Sequence, residues 1–166
     1  MRIPAVFLLG LLLGSVVAPG RAQETRLAGM NGISHIAISV ANFDEALAFY
    51  TQKMGFREAF TIRDEKGAPV LSNLHVNGTT FVELLPANAN RRPGLDHFGV
   101  EADDTRAMTA NLRQRGVTIE EPRIGFTKAL ITFAADPAGV RIELGEFGPE
   151  SAQRKAVDSW KDNPRR

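Results

Sequence analysis

Gly32-Ile33-Ser34-His35 returns as Gly94-Leu95-Asp96-His97, an offset of 62 residues between the two histidines. The echo continues downstream: Met54-Gly55-Phe56 answers to Arg115-Gly116-Val117 at offset 61, and Phe81-Val82-Glu83-Leu84 answers to Arg141-Ile142-Glu143-Leu144 at offset 60. A repeat held at a nearly fixed offset decides the architecture before any single element is assigned. Two units follow, residues 32–86 and 94–147. They are joined by the polar, strand-poor linker 87–93, Ala-Asn-Ala-Asn-Arg-Arg-Pro.

Residues 33–40 of the first unit alternate as a strand, with Ile36, Ile38 and Val40 on one face and His35, Ala37 and Ser39 on the other. Asn42 followed by Glu45 predicts a capped helix whose apolar positions Ala46, Leu47, Phe49, Tyr50 and Met54 recur until Gly55. Strands are expected near 56–64, 69–76 and 79–86, with Asn77-Gly78 as the two central residues of a type I′ hairpin. The second unit repeats the plan: a strand over 95–102, a helix from Asp104 to Gly116, and strands near 117–124, 126–134 and 140–145. The turn Asp136-Pro137-Ala138-Gly139 separates the last pair. The expected fold class is α+β, two tandem βαβββ modules.

Each unit carries one His on its first strand and one Glu on its last. Glu83 between Val82 and Leu84, and Glu143 between Ile142 and Leu144, sit where a merely solvated charge is awkward, and a buried carboxylate demands a partner. Any one of these four residues alone reads as a satisfied core histidine or a solvent-facing glutamate. Their recurrence at matching places favours one shared site with His35, Glu83, His97 and Glu143 as metal ligands. Two imidazoles and two carboxylates suit one divalent ion of the Ni, Co, Zn, Fe or Mn type.

The segments His35-Ile-Ala-Ile-Ser-Val, Phe49-Tyr50, Val82-Glu83-Leu84-Leu85-Pro86, Gly94-Leu95-Asp96-His97 and Asp136-Pro137-Ala138-Gly139-Val140-Arg141-Ile142-Glu143-Leu144 resemble the vicinal oxygen chelate superfamily. That family includes glyoxalase I, methylmalonyl-CoA epimerases, extradiol dioxygenases and bleomycin or fosfomycin resistance proteins. The resemblance covers about residues 32–147. It implies a cupped mixed sheet around one metal site, with ligands from the first and last strand of each module. It also implies a small-molecule substrate offering two neighbouring oxygens to a Lewis-acidic ion. Among the branches, the two-His, two-Glu set is closest to glyoxalase I and methylmalonyl-CoA epimerase. The resemblance therefore implies lyase or isomerase proton transfer, with Glu143 or its counterpart Glu83 as general base. Ser39 stands where many glyoxalases place an arginine, which speaks for a different substrate.

A ring-cleaving dioxygenase ranks lower, because the hairpin register expected around Asn77-Gly78 pairs His75 with Thr80 and turns His75 away from the metal. The remaining alternative is an exported metal-binding or small-molecule-binding module without catalysis. Glu101 is a candidate outer acid or a rim residue. Arg91 and Arg92 read as solvated linker charges, and Arg123, Phe126 and Lys128 as mouth or surface residues without an assigned role. The two units either close one site within a chain or share sites across a homodimer.

Outside the repeat, Arg2 and the apolar run 5–18, then Pro19-Gly20-Arg21-Ala22, read as a signal peptide over residues 1–22 cut after Ala22, and so predict a secreted or periplasmic protein. Removing Arg2 and Arg21 leaves 18 basic against 19 acidic residues, a balance that gives no electrostatic ground for nucleic-acid binding. After cleavage no apolar run is long enough for a membrane span. The absence of cysteine excludes disulfides, thiolate metal sites and a cysteine nucleophile. Residues 148–166 read as a polar C-terminal tail, with a short helix around 153–160 and Trp160 docked on the domain surface.

Overall fold

The structure, a computed structural model, describes residues 27–162. The export signal expected over residues 1–22 and its cut after Ala22 lie outside the described residues. The elements run β1 (Met30–Val40), α1 (Phe43–Ala48, continued by a π-helical turn over Phe49–Lys53), β2 (Arg57–Arg63), β3 (Pro69–His75), β4 (Phe81–Pro86), β5 (Gly94–Ala102), α2 (Thr105–Gln114), β6 (Arg123–Ile124), β7 (Leu130–Ala135), β8 (Arg141–Glu146) and α3 (Ala152–Asp162).

One curled mixed sheet contains every strand, in the order β2-β3-β4-β1-β5-β8-β7-β6. The two modules contribute halves related by an approximate two-fold axis, so their first strands, β1 and β5, meet antiparallel at the centre. Each lies parallel to the last strand of its own module, β1 to β4 and β5 to β8.

Local signals explain the helices. Asn42 Oδ1 accepts from the Glu45 amide at 3.2 Å, and Asp104 Oδ1 accepts from the Ala107 amide at 2.9 Å, each satisfying one orphan donor of a first turn. Gly55 and Gly116, at φ +74° and +83°, take the left-handed turn that ends each helical segment. Phe43 of α1 packs with Leu74, Leu84, Ile38 and Val82 of the sheet, and Met108 of α2 with Val100, Leu144, Phe98 and Ile142. Burying a leucine such as Leu74 or Leu84 completely contributes about 1.5–3 kcal/mol. This packing commits one face of the sheet to the helices. By the period of two along a strand, it sends His35, Glu83, His97 and Glu143 to the other face.

The second module departs from expectation on its outer edge. The strand expected over 117–124 is reduced to Arg123–Ile124 and an isolated bridge between Ile119 and Ala134, because Pro122 has no N–H to give a ladder. The strand expected from 126 begins at Leu130. Before it comes a turn closed by the Gly125 amide on the Ala129 carbonyl (2.9 Å), with Lys128 at φ +64°.

The β3–β4 hairpin corrects a register. Asn77 Oδ1 accepts from both the Thr79 and Thr80 amides at 2.9 Å, and the Val76 amide closes on the Thr80 carbonyl, so the loop is one residue wider than a two-residue turn. Asn73, not Ser72, therefore faces Glu83, and His75 pairs with Phe81 rather than Thr80. A slip of one residue reverses every face assignment. His75 lies on the same side of the sheet as Glu83, against the expectation that it points away.

The C-terminal segment is part of the packed domain. Ala156 and Val157 of α3 cover Phe81 on the face opposite α1 and α2, and Trp160 packs on His75 with ring centroids 4.7 Å apart. His75 is thus sealed beneath α3 rather than open to the site. Burial, the largest influence, and the charge of Arg57 lower its pKa, against the opposing pull of the Asn77 carbonyl, which accepts from Nδ1 at 2.9 Å, and of the Ala156 backbone.

Candidate metal centre

The strand register draws the four candidate ligands together in two crossing rows. In one, Glu83 of β4, Ala37 of β1 and His97 of β5 stand side by side; in the other, His35 of β1, Gly99 of β5 and Glu143 of β8 do so. Each row pairs an imidazole from one module with a carboxylate from the other across a small residue. All four side chains come from one chain.

All four are buried. His35 Nε2 and His97 Nε2 face each other at 3.1 Å, with the rings nearly perpendicular. Glu83 Oε1 lies 4.0 Å from His97 Nε2, and the Glu143 carboxylate lies 3.5 Å from His97 Nε2 and 4.0 Å from His35 Nε2. Ligand atoms of His35, Glu83 and His97 all fall within 4.8 Å of one another. Two nitrogens each about 2.1 Å from one ion stand about 3.0 Å apart at a right angle and about 3.4 Å apart at a tetrahedral angle. The observed spacing lies between these values. Two carboxylates and two imidazole lone pairs converging out of water also call for positive charge among them. The residues fit a divalent cation.

Each imidazole is held from behind by the residue before it. His97 Nδ1 donates to Asp96 Oδ1 at 2.7 Å, and His35 Nδ1 meets Ser34 Oγ at 3.1 Å, leaving Nε2 of both rings facing inward. Strict alternation would place Ser34 and Asp96 on the opposite face. The β1–β5 register slips between Ile33 and His35 and again between Ala37 and Ile38, so each of the two residues sits at a bulge, the device that re-aims a side chain within a strand. A second partner of this kind fixes the tautomer and orientation of a ligating histidine. Asp96 also receives Arg141 Nη1 at 3.1 Å and lies 3.5 Å from Arg91 Nε. Glu101 faces elsewhere, paired with Arg154 at 3.1 Å.

The two glutamates are not equivalent. Asn73 Nδ2 donates to Glu83 Oε2 at 2.9 Å, while Phe133, on the edge of the His97 ring, occupies the place next to Glu143. Above them opens a cavity of about 140 Å³, lined by both glutamates, His97, Leu71, Gln153 and three arginines, Arg91, Arg123 and Arg141. Arg91 folds from the linker to donate to the Pro86 carbonyl, so it is a wall of the site and not a solvated linker charge. Arg123 and Phe126 line the mouth; Lys128 does not. Asp96, Ser34, Asn73 and Gln153 escaped sequence reasoning. The residue preceding His in both copies of the repeat was the available signal for the first two.

A cupped sheet of two βαβββ units with two His and two Glu at its centre defines a chelate-type fold with a candidate metal centre. Residues 32–144 match the Glyoxalase/Bleomycin resistance protein/Dioxygenase superfamily, and the chain belongs to that superfamily. It is 31% identical over 126 residues to the uncharacterized protein YaeR of Escherichia coli, covering 71% of this chain and 98% of YaeR. A probable chloroplastic lactoylglutathione lyase of Arabidopsis thaliana is 27% identical over 69% of this chain and 35% of its own. The crystal structure of methylmalonyl-CoA epimerase from Mycobacterium tuberculosis superposes with a TM-score of 0.65 at 28% identity, covering 76% of this chain and 95% of the epimerase.

Proposed function

We propose that this protein is a divalent-metal-dependent enzyme of the glyoxalase I and epimerase type, moving a proton on a small substrate that chelates the ion through neighbouring oxygens. The carrying observation is that His35, Glu83 and His97 bring ligand atoms within 4.8 Å of one another, with the Glu143 carboxylate beside both imidazoles, at the floor of an open cavity; these four are proposed as the ligands. A bound ion supplies Lewis acidity, withdrawing the charge that develops on the substrate oxygens when a neighbouring C–H is lost. The chain does the rest. His35 and His97 hold their orientation through Ser34 and Asp96, Asn73 tethers Glu83, and Glu143 is the carboxylate left to take and return the proton.

The walls favour an anionic, oxygen-rich substrate. Arg91 and Arg141 are shared with Asp96, whereas Arg123 lies over the Phe133 ring at 5.8 Å, giving the mouth a positive lining. The cavity is smaller than the roughly 300–1,000 Å³ typical of ligand sites, so it takes a small acid or the reacting end of a larger molecule. Export after Ala22 belongs to this proposal and directs the search to substrates outside the cytoplasm. The experiment is exchange in D₂O: incubated with Mn²⁺ or Co²⁺, the protein should wash the α-proton out of some members of a panel of 2-hydroxy and 2-oxo acids and thioesters, followed by NMR. No exchange anywhere in the panel, with metal bound, would favour a noncatalytic binding module.

Metal affinity should also depend on pH in a defined direction. Burial is the largest influence on His97 and by itself lowers its pKa, but hydrogen bonds to Glu143 and Asp96 and the charges of Glu143 and Glu83 together raise it above 6.5. A proton on Nε2 competes with the ion. Calorimetric titration with Mn²⁺ from about pH 8.5 to about pH 5 should show affinity starting to fall above the ordinary histidine range. A flat profile until well below that range would contradict the assignment of His97.

A further inference from the structure

The C-terminal helix brings one polar group into the cavity that neither the repeat nor the matched family region contains. Gln153 lies beyond residue 144, where the match ends, and lines the cavity alongside Glu83 and Glu143. Its residue is 3% exposed, and its Oε1 is buried without a hydrogen-bond partner. A buried amide oxygen left unpaired is costly in a folded protein and calls for an explanation where it occurs.

Gln153 does not reach this place by accident of a loose tail. The Ala152 amide donates to the Thr127 carbonyl at 2.9 Å, and Ser151 Oγ, itself fully buried, accepts from the Arg154 amide at 3.1 Å. Arg154 then ties the helix to Glu101 and to the Phe147 carbonyl, and Ala156 and Val157 clamp it on Phe81. The residue between these anchors is held at the cavity wall, with its amide oxygen unpaired. That is the arrangement expected of a group that must be in position before its partner arrives.

We infer that Gln153 is a specificity-determining residue, accepting a hydrogen bond from a hydroxyl of the substrate chelated at the proposed metal centre. The helix thereby selects a 2-hydroxy oxyanion over a chelator with no hydrogen to give. This rests on the metal-chelate reading above, and the test keeps the two apart. In the Mn²⁺-loaded full chain, affinities would be measured by calorimetry for Mn²⁺ itself, for glycolate, which carries a hydroxyl, and for oxalate, which carries none when ionised.

Gln153→Met keeps the side-chain volume and removes the acceptor. It should weaken glycolate about five- to tenfold, the worth of one hydrogen bond, while oxalate and Mn²⁺ stay within about twofold of wild type. The unchanged Mn²⁺ and oxalate affinities serve as the check that the variant is folded. Glycolate binding unaltered by the substitution would overturn the inference, as would a parallel loss for glycolate and oxalate, a loss of Mn²⁺ affinity, or a wild-type protein that binds Mn²⁺ but neither chelator. A wild-type protein that takes up no Mn²⁺ would instead overturn the metal reading on which it stands.

Discussion

Glu143→Gln is expected to lower metal-dependent exchange of the substrate α-proton by about 10²–10⁴-fold, the usual contribution of a positioned general base. The structure favours Glu143 over Glu83 for this role on one asymmetry. Glu83 Oε2 is engaged by Asn73 Nδ2 at 2.9 Å, so detaching that carboxylate to move a proton breaks a buried hydrogen bond. Glu143 has the two imidazole nitrogens as its neighbours, and the Phe133 ring stands where the first module has Asn73. A glutamine at 143 keeps an oxygen for the ion and loses the basicity. Metal is therefore retained, with affinity reduced far less than exchange.

Glu83→Gln should show the opposite balance. It disturbs a ligand whose second oxygen is already committed, so metal affinity falls while the exchange rate per bound ion changes little. Equal exchange rates for wild type and Glu143→Gln, measured with metal content known, would remove Glu143 from the reaction. If instead Glu83→Gln alone abolished exchange, the roles would have to be swapped.

The placement of the four candidate residues was legible because the repeat is written in residue types that strands display at fixed parity. His35 recurs as His97 at offset 62 and Glu83 as Glu143 at offset 60, and the pairing of β1 with β5 turns that near-symmetry into proximity. The supporting residues were not legible for a physical reason. Ser34 and Asp96 act only because bulges break the alternation, and a bulge leaves no mark in hydrophobic periodicity. His75 was assigned to the wrong face because the Asn77 side chain widened the turn by one residue, a competition between side-chain and backbone hydrogen bonds that Asn-Gly alone does not announce. Gln153 was invisible for a third reason. Its helix is polar by composition, and only tertiary packing on Phe81 decides that this helix closes the cavity.

The register also singles out a residue with no chemistry of its own. Gly99 stands between His35 and Glu143 in their row, and a Cβ built there would fall onto the His35 ring itself. No left-handed backbone is involved at this position, so alanine is compatible with the strand and even lowers the conformational entropy lost on folding. Its entire effect is steric and is directed at one proposed ligand, His35. The His35 ring cannot retreat far, with His97 Nε2 at 3.1 Å and Ser34 behind it. In the other row the equivalent place is Ala37, fully buried, so the row through Ala37 has room for a methyl where the row through Gly99 has none.

Gly99→Ala should therefore give a protein destabilised without metal by about 1–3 kcal/mol, the usual cost of overpacking, and whose Mn²⁺ or Co²⁺ affinity is lower by up to about 100-fold. That is the upper end of what misorienting a ligand through its surroundings costs. Thermal melts with and without the ion separate the two effects, because a bound ion stabilises only the form that can hold it. Wild type should gain melting temperature with added metal, and the variant should gain much less at the same metal concentration. A Gly99→Ala protein that bound metal as tightly as wild type would show that His35 is not a ligand, and that the ion, if held at all, rests on His97 and the two carboxylates.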